Sequence, residues 1–171
     1  MANADKPAGF KVGYTKHGGP ARMSRYHTSG TLPIYAGDIV VNNAAGRVQS
    51  LVASSDADPV VGVAATYTAS TDTATEVFVY DDLVNTVFIA QADGSEVASV
   101  TATALFYDVT IASATTTERS IFEIDSSASN HDTLYVIDKV DRMDNAYGAY
   151  CDCYVELVVD GIAHSRTNTA T

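Results

Sequence analysis

From residue 31 onward the chain is a succession of short apolar runs separated by clusters of turn-forming residues. The runs are Ile34–Tyr35, Asp38–Asn42, Arg47–Ala53, Pro59–Tyr67, Glu76–Tyr80, Thr86–Gln91, Leu105–Ile111, Ser120–Asp125, Thr133–Val140 and Tyr150–Val159. Between them stand Ala36-Gly37-Asp38, Ala45-Gly46, Asp56-Ala57-Asp58-Pro59, Ala92-Asp93-Gly94 and Asp160-Gly161, residues that favour turns. Short strands at this spacing are the sequence form of a sandwich or barrel. Only Glu96–Phe106 reads as a possible helical turn, and its threonines weigh against it.

Residue usage agrees. Val, Thr, Tyr, Ile and Phe total 62 residues, against 26 for Leu, Glu, Lys, Arg, Gln and Met. Side chains branched at Cβ lose rotamer freedom in a helix and pack well on a pleated surface. Alternation then assigns faces. In Glu76–Tyr80, Val77 and Val79 oppose Glu76, Phe78 and Tyr80; in Cys151–Val159, Cys151, Cys153, Val155, Leu157 and Val159 oppose Asp152, Tyr154 and Glu156. The expectation is an all-β protein, a single compact β-barrel or jelly-roll-like sandwich over residues 31–171, preceded by an extended basic arm over residues 1–30.

The arm is read from charge. Residues 1–25 carry Lys6, Lys11, Lys16, Arg22 and Arg25 against Asp5, a net of +4, while the rest of the chain carries −15 of a total of −11. An acidic body repels nucleic acid and anionic lipid, so neither is expected as a partner. Apolar residues space the arm's cations, unlike the dense basic run of a nucleic-acid tail. The segment reads as a solvated arm or first edge strand, or as an arm that docks on an acidic protein surface or a neighbouring subunit. The opening residues contain no apolar leader and no run approaches a membrane span, which predicts a soluble protein made in a cytoplasm.

Catalytic and metal-binding patterns are sparse. There is no Gly-rich phosphate loop, no Gly-x-Ser-x-Gly elbow and no His-Glu-x-x-His pair, and His17, His27, His131 and His164 are scattered. Cys151 and Cys153 point to one strand face, a spacing suited to small core residues and poor for a disulfide. The acid groups Asp56/Asp58, Asp81/Asp82 and Asp138/Asp141/Asp144 are read mainly as turn and surface residues; acid–base work or calcium binding by a pair is the alternative. No enzyme activity, cofactor or metal is expected. Ten tyrosines with no tryptophan suggest amphipathic contact surface, with Tyr80, Tyr147, Tyr150 and Tyr154 as candidates for a subunit interface.

The order of motifs resembles the head decoration, or cement, proteins of tailed bacteriophages. The likeness rests on Ala2-Asn-Ala-Asp-Lys-Pro-Ala-Gly-Phe10, Tyr35-Ala-Gly-Asp-Ile-Val-Val41, Gly46-Arg-Val48 and Val60-Val-Gly-Val63. It continues through Val79-Tyr-Asp-Asp82, Phe88-Ile-Ala-Gln-Ala-Asp-Gly94, Arg119-Ser-Ile-Phe-Glu-Ile-Asp-Ser126 and Val140-Asp-Arg-Met-Asp-Asn145. The chain departs from the family where Leu83, in place of a proline, follows Asp82, and in its Cys-x-Cys.

The resemblance implies a non-enzymatic β domain, commonly trimeric, on the outer surface of an assembled virion capsid. There it would stabilise the shell by bridging subunits of the major capsid protein, after synthesis in the bacterial host cytoplasm. On that reading the arm's Lys6, Phe10, Lys11, Lys16, Arg22 and Arg25 are the expected capsid contacts. The rival expectations are a carbohydrate-binding adhesin or tail-fibre module and, behind it, a hydrolase using Asp81 or Asp82.

Overall fold

The computed structural model describes residues 3–52, 59–69, 75–94, 105–111, 119–125 and 133–158. Among these are eleven strands and no helix. They are β1 (Lys11–Thr15), β2 (Met23–His27), β3 (Ile39–Asn42), β4 (Val48–Ser50), β5 (Val60–Ala64) and β6 (Glu76–Tyr80), then β7 (Thr86–Gln91), β8 (Leu105–Thr110), β9 (Glu123–Asp125), β10 (Leu134–Lys139) and β11 (Asp152–Leu157). Every run from Asp38–Asn42 onward contains or becomes a strand. Residues 96–104 of the possible helical turn lie outside the described residues, and Leu105–Phe106 open β8.

Two antiparallel sheets form, ordered β1-β7-β11-β10-β8-β9 and β2-β6-β5-β3-β4. Among the described residues no strand ladder closes either sheet into a barrel; the architecture is sandwich-like. The first sheet nevertheless curls, because a bridge between Ala92 and Ile124 brings β9 back to the end of β7.

The main core is built as alternation dictates. Cys153, Val155 and Leu157 of β11 are buried beside Phe88, Leu134, Val136 and Ile124, while Asp152, Tyr154 and Glu156 face outward and are half-buried. The second sheet departs from a one-core plan. Ile39, Val41 and Val63 join the main core, whereas Val40, Val48, Ala64, Val77 and Val79 form a second cluster with Ile34. Burial on both faces explains the unbroken Ile39-Val40-Val41 run. Ile34 is held there by reciprocal backbone hydrogen bonds with Thr68, of 2.9 and 2.8 Å.

For residues 1–30 the sequence leaves an extended arm and a first edge strand as alternatives, and strands are what form. β1 adds an edge to the first sheet against β7, and β2 adds an edge to the second against β6. Phe10 is only 2% exposed and belongs to the main core. The reason is electrostatic as well as hydrophobic, because the +4 segment lies on its own acidic body. Lys16 pairs with Glu156 at 2.9 Å, Arg22 with Asp81 at 2.9 Å and Arg25 with Glu76 at 3.0 Å.

Candidate functional site

Residues 3–10 precede β1 as a strap across one end of the first sheet, and each part has its own fastening. The Asn3 side chain donates to the carbonyls of Ala146 (2.7 Å) and Ala149 (3.0 Å) and accepts from the Ala146 N–H (3.0 Å). The Gln91 side chain, at the end of β7, accepts from the Lys6 N–H at 2.8 Å and donates to the carbonyls of Ala4 and Tyr150. The Phe10 N–H donates to the carbonyl of Gly37 at 2.9 Å.

Glycine is required where the strap meets the body. Gly9 has φ +65°, and a Cβ there would collide with the Ser120 side chain and the Gly37 carbonyl. Gly37 has φ +97°, and a Cβ there would press on the Ala8 carbonyl and the Gly9 α-carbon. Asp38, next in the chain, is buried and accepts from the Tyr35 N–H (2.9 Å) and the Ser50 hydroxyl (3.0 Å). Burial raises its carboxyl above the ordinary value, against the lowering effect of these bonds and of one from Ser120.

Beside the strap is a polar cleft of about 300 Å³ whose lining includes Lys6, Lys11, Gln91, Arg142, Tyr150 and Asp152. Arg142 is committed there, to Asp152 at 2.7 Å and Asp144 at 3.0 Å. Asn145 fixes the loop behind it through the Val140 carbonyl and both backbone groups of Asp152. Tyr150 holds φ +60°, the one described non-glycine residue in that region, with its hydroxyl over Gly94. A second depression, of about 330 Å³, is mostly apolar and includes Leu32, Pro33, Leu51, Val52 and Phe122, with Asp38 among its lining.

The expected contact residues therefore separate. Phe10 is a core residue and is not available as a surface contact, because its ring is enclosed between the sheets. Lys16, Arg22 and Arg25 keep exposed guanidinium or ammonium groups but pair with the protein's own acids. Lys6 and Lys11 are exposed, line the cleft and make no ion pair among the described residues.

The tyrosines are equally dispersed. Tyr80 packs against the main core, and Tyr150 lines the cleft. Tyr147 donates to Asp138 at 2.8 Å, a bond that holds its hydroxyl protonated up to about 12. Tyr154 meets Tyr14 edge-on, with ring centroids 5.5 Å apart on the outer side of the first sheet.

The acid groups have structural occupations. Asp81 accepts from Arg22 and from the Tyr26 hydroxyl (3.0 Å), and Asp82 accepts from the Asn85 side chain. Asp138 binds Tyr147, Asp141 pairs with Lys139 and Asp144 with Arg142. Asp56 and Asp58 lie outside the described residues, as do His131 and His164. His17 and His27 are exposed, and no group of three His, Cys, Asp or Glu residues placed to hold a metal occurs among the described residues. Cys151 and Cys153 are buried with their sulfurs 3.7 Å apart, and the bond to Cys151 together with burial drives the Cys153 thiol pKa upward.

The anchors Asn3, Gln91, Ser120 and Asn145 were not singled out from the sequence. The available signal was polarity at a strand end for Gln91, but nothing local identifies its partners 85 residues away. The chain matches no protein-family model, no curated protein and no solved structure.

Proposed function

We propose that this protein is a capsid decoration protein, a non-enzymatic β domain that binds the outside of an assembled phage head and stabilises it. One observation carries the reading: five of the eight pieces behind the family resemblance meet in space. Lys6, Gly9 and Phe10 of the opening motif contact, in turn, Gln91 of the strand motif, Ser120 of the Arg119–Ser126 motif and Gly37 of the second motif. Asn145 closes the last motif beside the Ala146–Ala149 segment that Asn3 grips. Separately each motif is ordinary β sequence; these five together build one feature, the strap and its seat, and that supports reading their order as a family signature.

Lys6 of the strap and Lys11 at the start of β1 are the cations offered to a partner. A shell repeats its surface many times, so a modest contact at each position gives tight overall attachment when an oligomer engages several positions. Binding the assembled shell in preference to its separated subunits stabilises the assembly by mass action. Co-sedimentation with expanded capsids lacking the decoration protein tests the proposal. Saturable binding at a fixed ratio to the major capsid protein is expected; no binding to the cognate mature shell would overturn it.

A further inference from the structure

Glu123 stands on β9, three residues beyond the Ser120 side chain against which Gly9 of the strap packs, and one of its oxygens, Oε1, is shut off from solvent with no hydrogen-bond partner. The nearby carboxylates that act on it are Asp5 of the strap and Asp93, just beyond β7. Both are held in place by the backbone. Asp5 lies between Ala4 and Lys6, the two residues tied to Gln91, and the Asp93 N–H donates to the Ile124 carbonyl at 3.0 Å. On β8 the residue opposite Glu123 is Thr110, which carries no charge. The next ionisable pair along the strands is Asp125 opposite Asp108, and Asp108 accepts from the Thr133 hydroxyl. No cation pairs with Glu123 among the described residues.

A half-buried carboxyl with one oxygen shut off from solvent, under the influence of two carboxylates, is tolerated when it holds its proton and becomes costly when it loses it. We propose that Glu123 is a proton-operated latch: protonated, it lets the strap lie closed over the end of the first sheet, and ionised, it drives Asp5 and the strap outward.

Burial first, then Asp5 and Asp93, raise the Glu123 pKa to about 7. With the strap open, the carboxyl faces water and titrates in the ordinary range. The closed form therefore binds the proton more tightly, so closure is favoured below the ordinary range and weakens as pH rises toward about 7. The latch works independently of what the strap binds.

Amide hydrogen exchange in the full-length protein tests it, with rates corrected for the intrinsic effect of pH. The protection of the Lys6 and Phe10 amides should fall by about tenfold or more from pH 5 to pH 8. Glu123→Gln should keep its protection nearly constant over that range. Asp5→Asn removes one of the two opposing charges and should move the wild-type transition to lower pH. Protection independent of pH in the wild type, or an equal loss in Glu123→Gln, would overturn the latch. Should Glu123→Gln fail to fold, the wild-type profile and the Asp5→Asn shift decide the matter, and an unmoved transition in Asp5→Asn would contradict it.

Discussion

Gly9 shows how far a single residue constrains this fold. Its left-handed backbone and its contact with Ser120 and Gly37 leave no room for a side chain. Gly9→Ala incurs both a backbone penalty and a steric one, about 2–4 kcal/mol together. Chemical denaturation should show this as a lower midpoint, and an unchanged midpoint would mean that the strap is not seated there. Cys151 and Cys153 make the opposite kind of prediction. Both thiols face the core, and Cys153 is held protonated by its neighbour and by burial. Alkylation by iodoacetamide at pH 8 should therefore be slow in the native protein and rapid after unfolding. Fast native labelling would contradict their placement. The cysteines were legible in the sequence because alternation alone assigns their face, whereas Gly9 was not, because its need for φ above zero comes from a contact 111 residues along the chain.

At the scale of elements, β3 to β11 could be read from apolar runs and turn residues because each strand buries at least one face. β1 and β2 could not be placed, because the sequence left a first edge strand and a free arm as alternatives. Lys11-Val-Gly-Tyr-Thr15 and Met23-Ser-Arg-Tyr-His27 are exposed or half-buried edge strands, so their side chains carry little apolar pattern. They are positioned by Phe10, by backbone pairing and by ion pairs to the body.

The corner that joins them makes its own pH prediction. Burial would raise the Asp81 pKa, but hydrogen bonds from Arg22, Ser24 and Tyr26 outweigh it and hold the carboxyl below the usual range. That contribution to stability is present above the usual carboxylate range and is lost as pH falls through the lowered value. Arg22→Ala should therefore cost more stability at pH 7 than at pH 2.5, measured by thermal unfolding. An equal cost at both would contradict the assignment. Phe10→Ala should cost about 3–5 kcal/mol, since it empties a site in the main core.

For the whole molecule, the charge division legible in the sequence has a use that the sequence did not reveal. A +4 segment before a −15 body reads as a free arm, yet most of its cations are taken up in holding two edge strands onto that body. Removing residues 1–25 would delete the strap, Phe10, β1 and part of β2, and would test folding more than docking. Charge reversal at Lys6 and Lys11 separates the two, because neither makes an ion pair among the described residues. The double variant Lys6→Glu/Lys11→Glu should keep the wild-type thermal stability and bind shells about tenfold more weakly, a difference that narrows at high salt. Loss of stability without loss of binding would reverse that assignment.

On the proposed function, the protein recognises an assembled surface. The measurement that addresses it most directly compares binding of the wild-type protein to intact expanded shells and to the same major capsid protein dissociated into subunits. Saturable binding to the shell is expected, with much weaker binding to the subunits and a rise in the temperature of shell disruption that levels off as the sites fill. Equal binding to shell and subunits, or shell binding that leaves the disruption temperature unchanged, would contradict it.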